Sequence, residues 1–231
     1  MIRFESVFKR YTNGREALSG ISFALERGEM AFLTGPSGAG KSTLLKLIAL
    51  IERPTRGTVL VNGQNTARVS RRRIPRFRQR IGVVFQDHKL LYDRKIFDNV
   101  ALPLTIAGLG HREVGRRVRA ALDQVGLLGR ENDAPITLST GEQQRVGIAR
   151  AVATRPDLVI ADEPTGNLDP ELSLEIMRLF ERFNDVGVTL LIASHDLELI
   201  GRLDHRRLRL VAGRLQQEPA SVDAALPEER A

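Results

Sequence analysis

The chain contains no cysteine, only four histidines and no long hydrophobic run. The lack of cysteine excludes disulfides, thiolate metal sites and cysteine nucleophiles, and so few histidines argue against a metal site built from protein ligands alone. The longest apolar run, residues 44–51, is interrupted by Lys46, whereas a bilayer-spanning helix needs about 20 apolar residues. The first ten residues alternate like a strand, so we expect no signal peptide and a soluble, cytoplasmic chain.

Size and charge set two further bounds. The 231 residues fit one domain, and a hydrophobic content of 42% is enough for a sizeable core. The net charge is +7, and the densest basic stretch contains Arg71, Arg72, Arg73, Arg76, Arg78 and Arg80. Such a stretch suits a polyanion, either nucleic acid or an anionic membrane surface. A solvated face is the alternative, and it is the commoner fate of charge runs.

The chain alternates predicted strands and helices, as an α/β protein does. Strands are predicted at residues 2–7, 21–25, 30–34, 59–61, 81–85, 158–161 and 188–193. The last two are continuous apolar runs, typical of a parallel sheet buried on both faces. Residues 90–155 show helical spacing and no strand pattern, which predicts a helical insertion into a core of residues 1–89 and 156–215. Residues 216–231 are polar and predicted to be a flexible tail.

A glycine-rich loop joins a predicted strand to a predicted helix. It fits the pattern G-x-x-x-x-G-K-[ST] and consists of Gly35, Pro36, Ser37, Gly38, Ala39, Gly40, Lys41, Ser42 and Thr43. Its backbone N–H groups can surround a phosphate, and the helix N-terminus adds partial positive charge. Lys41 is predicted to reach the β- and γ-phosphates of ATP, and Ser42 to ligate Mg²⁺. An ordinary glycine-rich turn is the alternative, but the complete motif in its strand–loop–helix context favours a nucleotide site.

Two carboxylates end the apolar strand at residues 158–161. Asp162 suits the Mg²⁺ shell of a P-loop nucleotidase, where it acts through water. Glu163 follows directly, in a position to polarise an attacking water as a catalytic residue. An Asp-Glu pair after a strand is otherwise a helix cap or a solvated turn, and the phosphate-binding loop in the same chain favours the catalytic interpretation.

The segment Leu138-Ser-Thr-Gly-Glu-Gln-Gln-Arg145 completes a recognisable set of motifs. Locally, Ser139 and Glu142 fit a capping box at a helix start. Together with the two nucleotide motifs, the segment resembles the signature of ATP-binding cassette (ABC) ATPases. The resemblance spans residues 1–215 and implies a P-loop NTPase core with an N-terminal antiparallel β subdomain and an inserted helical subdomain.

The resemblance assigns roles to residues outside these three motifs. Tyr11 resembles the aromatic residue that stacks on adenine, and Gln86 resembles the glutamine that contacts Mg²⁺ and the attacking water. His195 resembles the histidine that contacts the γ-phosphate. The segment Gly166-Asn-Leu-Asp169 resembles the loop that crosses the dimer interface, and Asp169 is its last residue. Asp169-Pro170 also fits a helix N-cap followed by proline.

The same resemblance implies partners and a biological role. The signature residues Ser139, Thr140, Gly141 and Glu142 are expected to contact the ATP of a second copy, so that hydrolysis needs a head-to-tail homodimer. The likeness is to members that act in bacterial cell division with an integral membrane subunit, at the cytoplasmic face of the inner membrane. An ATPase of a lipoprotein-release or macrolide-export system is the alternative. Direct nucleic acid binding is not expected, because the chain lacks coiled coils, zinc elements and a second cassette.

Two features of the sequence lead to further expectations. The family usually has two glycines after the signature serine, and this chain has Thr140 in the first of these positions. If φ is positive there, a β-branched residue is strained and contact with the γ-phosphate is weakened. The second feature is the segment from residue 87 to residue 99, which is predicted to receive a helix of the membrane partner. Its apolar side chains are Leu90, Leu91, Tyr92, Ile96 and Phe97, and the alternative is that they pack the helical insertion onto the core.

Overall fold

The computed structural model describes residues 1–216, which contain ten strands and seven α-helices. The strands are β1 (Ile2–Arg10), β2 (Glu16–Leu25), β3 (Met30–Thr34), β4 (Arg56–Val61), β5 (Gln64–Asn65), β6 (Ile81–Val84), β7 (Leu158–Asp162), β8 (Thr189–Ala193), β9 (Arg206–Val211) and β10 (Arg214–Gln216). The helices are α1 (Lys41–Ile48), α2 (Ile74–Arg78), α3 (Ile96–Ile106), α4 (His111–Gln124), α5 (Thr140–Val152), α6 (Pro170–Asp185) and α7 (Leu197–Gly201). Gln216, placed in the predicted tail, belongs to β10, and the rest of that tail lies outside the described residues.

Four strands near the N-terminus form an antiparallel sheet in the order β2-β1-β4-β5. Alternation along β1 turns Ile2, Phe4 and Val7 into the core and leaves Arg3 and Glu5 exposed. This sheet and α1 pack on one side of the second sheet, in one continuous hydrophobic cluster. The predicted antiparallel subdomain is therefore confirmed.

The second sheet has six strands in the order β10-β9-β3-β8-β7-β6. All neighbours from β9 to β6 are parallel, and only the β9–β10 hairpin is antiparallel. Strands β3 and β8 are buried along their whole length, as their apolar sequences predict. Because parallel strands end at the same edge, β3, β6, β7 and β8 deliver residues 35, 86, 163 and 195 to one side of the molecule.

Residues 90–155 contain α3, α4 and α5 and no strand in this described stretch. Their apolar faces join α6 and the other side of the six-stranded sheet in a second hydrophobic cluster. The inserted helical subdomain is thus present, while its limits at residues 90 and 155 stay an interpretation. Within residues 1–216, no helix is both long and apolar enough to cross a bilayer.

The apolar segment after Gln86 only partly forms a surface. Leu90 and Ile96 are buried in the core, so the expectation that these two face a partner is wrong. Phe97 is partly buried against the same core, and its role stays a prediction. Burial is favoured there because residues 96–106 are a helix whose inner face meets α4 and α5. Leu91 and Tyr92 are exposed.

Two glycines offer a test of this packing. At Gly82 on β6, an added Cβ would lie 2.6 Å from the Ala151 carbonyl oxygen of α5, whereas at Gly115 in α4 it would meet only the flexible end of Arg119, at 3.4 Å. Gly82→Ala should lower the free energy of unfolding by about 1 to 3 kcal/mol, because α5 must move off the sheet. Gly115→Ala should raise it by about 0.5 to 1 kcal/mol through helix propensity. Urea denaturation of both variants measures this, and equal effects would contradict the tight β6–α5 contact.

Candidate nucleotide-binding site

The phosphate-binding loop owes its shape to glycine. Gly35 and Gly40 adopt φ values of 141° and 112°. A Cβ at Gly35 would lie 2.0 Å from the Leu210 carbonyl oxygen, and one at Gly40 would lie 2.6 Å from that of Ala17. No larger residue fits at either position, because the neighbour in each case is backbone.

Helix α1 begins at Lys41, directly after the loop, and no side chain within residues 1–216 caps its N-terminus. Its first N–H groups therefore point toward the loop, where they and the helix dipole favour an anion. Lys41 Nζ folds back and donates to the carbonyl oxygens of Gly35, at 2.7 Å, and Pro36, at 3.3 Å. The loop and its lysine together form a positively charged cradle.

A cavity of about 630 Å³ opens over this cradle. Residues 36–43 form its floor, and its walls contain Tyr11, Arg15, Lys46, Gln86, Glu163 and His195. The fold thus brings together four predicted site residues that are far apart in the sequence, namely Tyr11, Gln86, Glu163 and His195. Sequence reasoning missed Arg15 and Lys46, because neither belongs to a motif, although Lys46 lies one turn beyond Ser42 on the same helix.

Glu163 lies at the centre of a polar chain in this cavity. Its carboxylate is 3.4 Å from Lys41 Nζ and 2.7 Å from His195 Nδ1. The His195 backbone N–H donates to the same carboxylate at 3.3 Å. Glu163 has a φ of 49°, in the left-handed region that non-glycine residues seldom adopt. Backbone strain, a buried ammonium and an imidazole therefore hold a single carboxylate at the cavity wall.

Asp162 lies beside Glu163 at the end of β7. Burial raises the pKa of its carboxyl above the ordinary 3.8, although the Ser42 hydroxyl hydrogen-bonds to it and lowers the pKa. Its Oδ1 is buried and has no hydrogen-bond partner among residues 1–216. A buried carboxylate oxygen without a partner, next to a serine hydroxyl, fits the hard oxygen ligands that Mg²⁺ prefers.

Tyr11 reaches the cavity from the end of the antiparallel sheet. Its hydroxyl lies 3.2 Å from Thr43 Oγ1, and Lys9 Nζ lies 4.9 Å from its ring centroid. Lys9 is held by Glu52 at 2.7 Å and by the Arg53 carbonyl at 3.0 Å. One face of the ring therefore carries a cation, which leaves the other for an adenine base. No motif signals Lys9.

The signature segment forms the start of α5 and lies away from this cavity. The Ser139 side chain accepts from the Glu142 backbone, and the Glu142 carboxylate accepts from the Ser139 N–H at 2.8 Å, so the predicted capping box is present. Arg130 holds the same carboxylate at 2.9 Å. Asp169 caps α6 through the Leu172 N–H, with proline at the first helical position. Both local interpretations are confirmed, and the trans roles of these residues stay predictions.

The expected strain at Thr140 is absent from this arrangement. Thr140 is the first residue of α5 and does not have a positive φ. At the next residue, Gly141, an added Cβ would lie 2.2 Å from Leu172 Cδ2, so the Leu172 side chain would have to shift to admit a larger residue. The strain hypothesis is therefore wrong, since a helical first turn accepts a β-branched residue.

The family model of the ABC transporter matches residues 18–166, from β2 through the phosphate-binding loop and the signature to Glu163. The chain belongs to the ABC transporter family. This ABC cassette is 58% identical to the cell division ATP-binding protein FtsE of Escherichia coli K12, over 93% of the chain and 97% of the relative. It is 45% identical to FtsE of Bacillus subtilis, over 92% and 93%.

A solved structure gives the same result for the fold. The cassette is similar to the dimeric structure of a post-hydrolysis state of the ATP-binding cassette MJ0796 bound to ADP and Pi, with a TM-score of 0.86 and 32% identity. The match covers 95% of this chain and 98% of that one. The P-loop ABC fold predicted from the motifs is confirmed.

The buried oxygen of Asp162 makes a prediction about metal dependence. Asp162→Asn should raise the free energy of unfolding of the nucleotide-free cassette by about 1 kcal/mol, because it removes a charge that burial disfavours. The same change should abolish the extra thermal stabilisation that MgATP gives over ATP with a chelator. Thermal unfolding measures both effects, with Asp204→Asn, at an exposed position, as the control. A full Mg²⁺ response after the substitution at Asp162 would contradict the assignment.

Proposed function

We propose that this cassette is the ATP-hydrolysing subunit of a membrane complex that acts in bacterial cell division. One observation carries the chemistry, namely the Glu163 carboxylate held between Lys41 and His195 at the wall of the nucleotide cavity. The cell-division role is supported by the likeness to FtsE proteins along nearly the whole chain. The same likeness favours this role over the lipoprotein-release or macrolide-export alternative.

The reaction is the attack of water on the γ-phosphate of ATP, which yields ADP and phosphate. The triphosphate occupies residues 35–43, and adenine stacks on the face of Tyr11 that Lys9 leaves open. The Lys41 ammonium turns from its carbonyl and carboxylate partners to the β- and γ-phosphate oxygens. Glu163 is then free of its cation and accepts a proton from the attacking water. His195 orients that carboxylate through Nδ1 and presents its other ring nitrogen to the γ-phosphate.

Mg²⁺ bound with ATP would neutralise the negative charge of the phosphates. In this cassette Ser42, Gln86 and, through water, Asp162 would hold it. The unpartnered Asp162 Oδ1 and the neighbouring Ser42 hydroxyl support this choice.

Hydrolysis is proposed to need two copies arranged head to tail. Within residues 1–216, the nucleotide cavity of one copy is not lined by the residues expected to contact ATP in trans, namely Ser139, Thr140, Gly141, Glu142 and Asp169. The start of α5 offers backbone N–H groups and a positive helix end, which suit the γ-phosphate of a second copy. The cassette MJ0796, which is similar to this one, is dimeric in two solved structures.

The membrane partner is proposed to be an FtsX-type integral membrane subunit, which would hold the cassette at the cytoplasmic face of the inner membrane and pass its motion to the control of peptidoglycan hydrolases. We place the docking site in an apolar groove of about 540 Å³ between α2, α3 and α5. Leu102 and Ile106 border it and are exposed. Phe85 also borders it, and the next residue, Gln86, borders the nucleotide cavity. Two adjacent residues, Phe85 and Gln86, thus link the proposed docking groove to the nucleotide cavity.

Glu163→Gln tests the catalytic role. The amide keeps the shape of the side chain but cannot take a proton, so the rate of hydrolysis should fall by about 10² to 10⁴ while ATP still binds. Phosphate release and the binding of a fluorescent ATP analogue measure the two properties. Glu171→Gln, on the exposed surface of α6, should change neither. Hydrolysis at the wild-type rate after the substitution at Glu163 would exclude the proposed base.

Ile106→Asp tests the groove. Ile106 is 64% exposed, so an aspartate should leave folding and basal ATPase activity unchanged. Loss of one buried isoleucine at the interface, with a charge in its place, should weaken binding to the membrane subunit at least about tenfold. Val186→Asp, a control at a position 77% exposed and outside the groove, should keep full binding. Co-purification with the membrane subunit in detergent measures this binding. Unchanged recovery of the Ile106→Asp variant would place the docking site elsewhere.

A further inference from the structure

The positive charge of this cassette is concentrated in one stretch. Residues 53–86 contain nine arginines and no lysine, aspartate or glutamate. The chain has 35 basic residues, so 26 remain outside the stretch, where they face all 28 acidic residues. The net charge of +7 therefore arises within these 34 residues, and the rest of the chain is slightly acidic.

Three of these arginines have structural partners. Arg53 donates to three backbone carbonyls within residues 66–69, Arg78 donates to the carbonyls of Ala49 and Leu50, and Arg80 pairs with Asp157 at 2.6 Å. Their role is to fix the loop between β5 and β6.

The other six make no hydrogen bond or ion pair with any described side chain or carbonyl through their guanidinium groups. One of them, Arg56, lies on β4. The remaining five are exposed and lie on the 3₁₀ turn at residues 71–73, in α2, or just before that turn: Arg68, Arg71, Arg72, Arg73 and Arg76. We call them the arginine cluster. Placing five guanidinium groups together without a described counter-charge costs free energy through their mutual repulsion, which an anionic ligand would relieve.

The position of the cluster indicates the kind of ligand. One side of α2, through Pro75, Arg78 and Gln79, borders the apolar docking groove. On its other side, Arg73, Arg76 and Arg80 border a separate cavity of about 430 Å³. The cluster is therefore about one helix diameter, roughly 10 Å, from the place where the membrane subunit docks.

We propose that the arginine cluster binds the anionic phospholipid headgroups of the membrane beside the docked subunit. The proposal rests on the proposed function for the placement of the groove toward the membrane. Guanidinium groups bind phosphate in a bidentate manner, and juxtamembrane basic residues are attracted to anionic lipid surfaces. A single-stranded nucleic acid is less well suited, because Phe77, the aromatic residue within the cluster, is only 8% exposed and offers no surface for base stacking.

Flotation of the full-length cassette with vesicles tests this without the membrane subunit. The vesicles are phosphatidylcholine alone or an equal mixture of phosphatidylcholine and phosphatidylglycerol. We expect the cassette to bind only the mixed vesicles, and we expect this binding to decline as sodium chloride is added. Arg71→Gln, Arg72→Gln and Arg73→Gln combined should lower the partition coefficient on the order of a hundredfold, since each basic residue at such a surface contributes about fivefold.

A second triple variant controls for net charge. Arg112→Gln, Arg178→Gln and Arg182→Gln remove the same charge from exposed positions elsewhere and should keep vesicle binding. Both triple variants should keep wild-type ATPase activity, which separates this proposal from the proposed function. Absence of wild-type binding to the mixed vesicles, or equal binding by both triple variants, would overturn the proposal. So would retention of a DNA or RNA probe that depends on the cluster while vesicles are not bound.

Discussion

Close backbone contact at the phosphate-binding loop is the constraint on which the rest of the structure depends. The loop approaches β9 at Gly35 and β2 at Gly40 so closely that neither position has room for a Cβ. The Gly213 N–H donates to the Ala39 carbonyl at 3.0 Å, and the Ser19 N–H donates to the Gly213 carbonyl at 2.8 Å. The antiparallel sheet, the β9–β10 hairpin and the parallel core therefore meet at the phosphate site. A movement of the loop would be transmitted to all three.

A second connection runs from the nucleotide cavity to the helical subdomain. The segment after Gln86 passes through two consecutive left-handed residues, His88 and Lys89. Their carbonyls both accept from the guanidinium group of Arg150, with 2.6 Å for the bond to Lys89. Arg150 belongs to α5, the helix that begins with the signature. One side chain thus joins the segment that follows Gln86, at the border of the nucleotide cavity, to the helix that is proposed to meet the second copy, so these two parts are expected to move together.

The motifs were predictable from the sequence because each is short and each function depends on local backbone. The loop at residues 35–43 needs glycine at set positions, and Glu163 follows a strand whose apolar residues are contiguous. The errors arose where packing between distant segments decides. The sequence around Leu90 and Ile96 suggested an exposed apolar surface, but in the fold these residues are buried with α4 and α5. The sequence around Thr140 suggested a positive φ, but the capping box makes Thr140 the first residue of α5. Lys9, Arg15 and the apolar groove gave no signal at all, because their neighbours are brought close only by the tertiary fold.

The choice of arginine throughout residues 53–86 has a consequence for regulation. A guanidinium group stays protonated at every pH a cell can reach, whereas a lysine can lose its charge through burial or acetylation. The positive charge of this stretch is therefore permanent, and neither a rise in pH nor lysine acetylation can remove it. Control over the proposed attraction to an anionic layer would then come from outside the chain, through the lipid composition of that layer or the ionic strength around it.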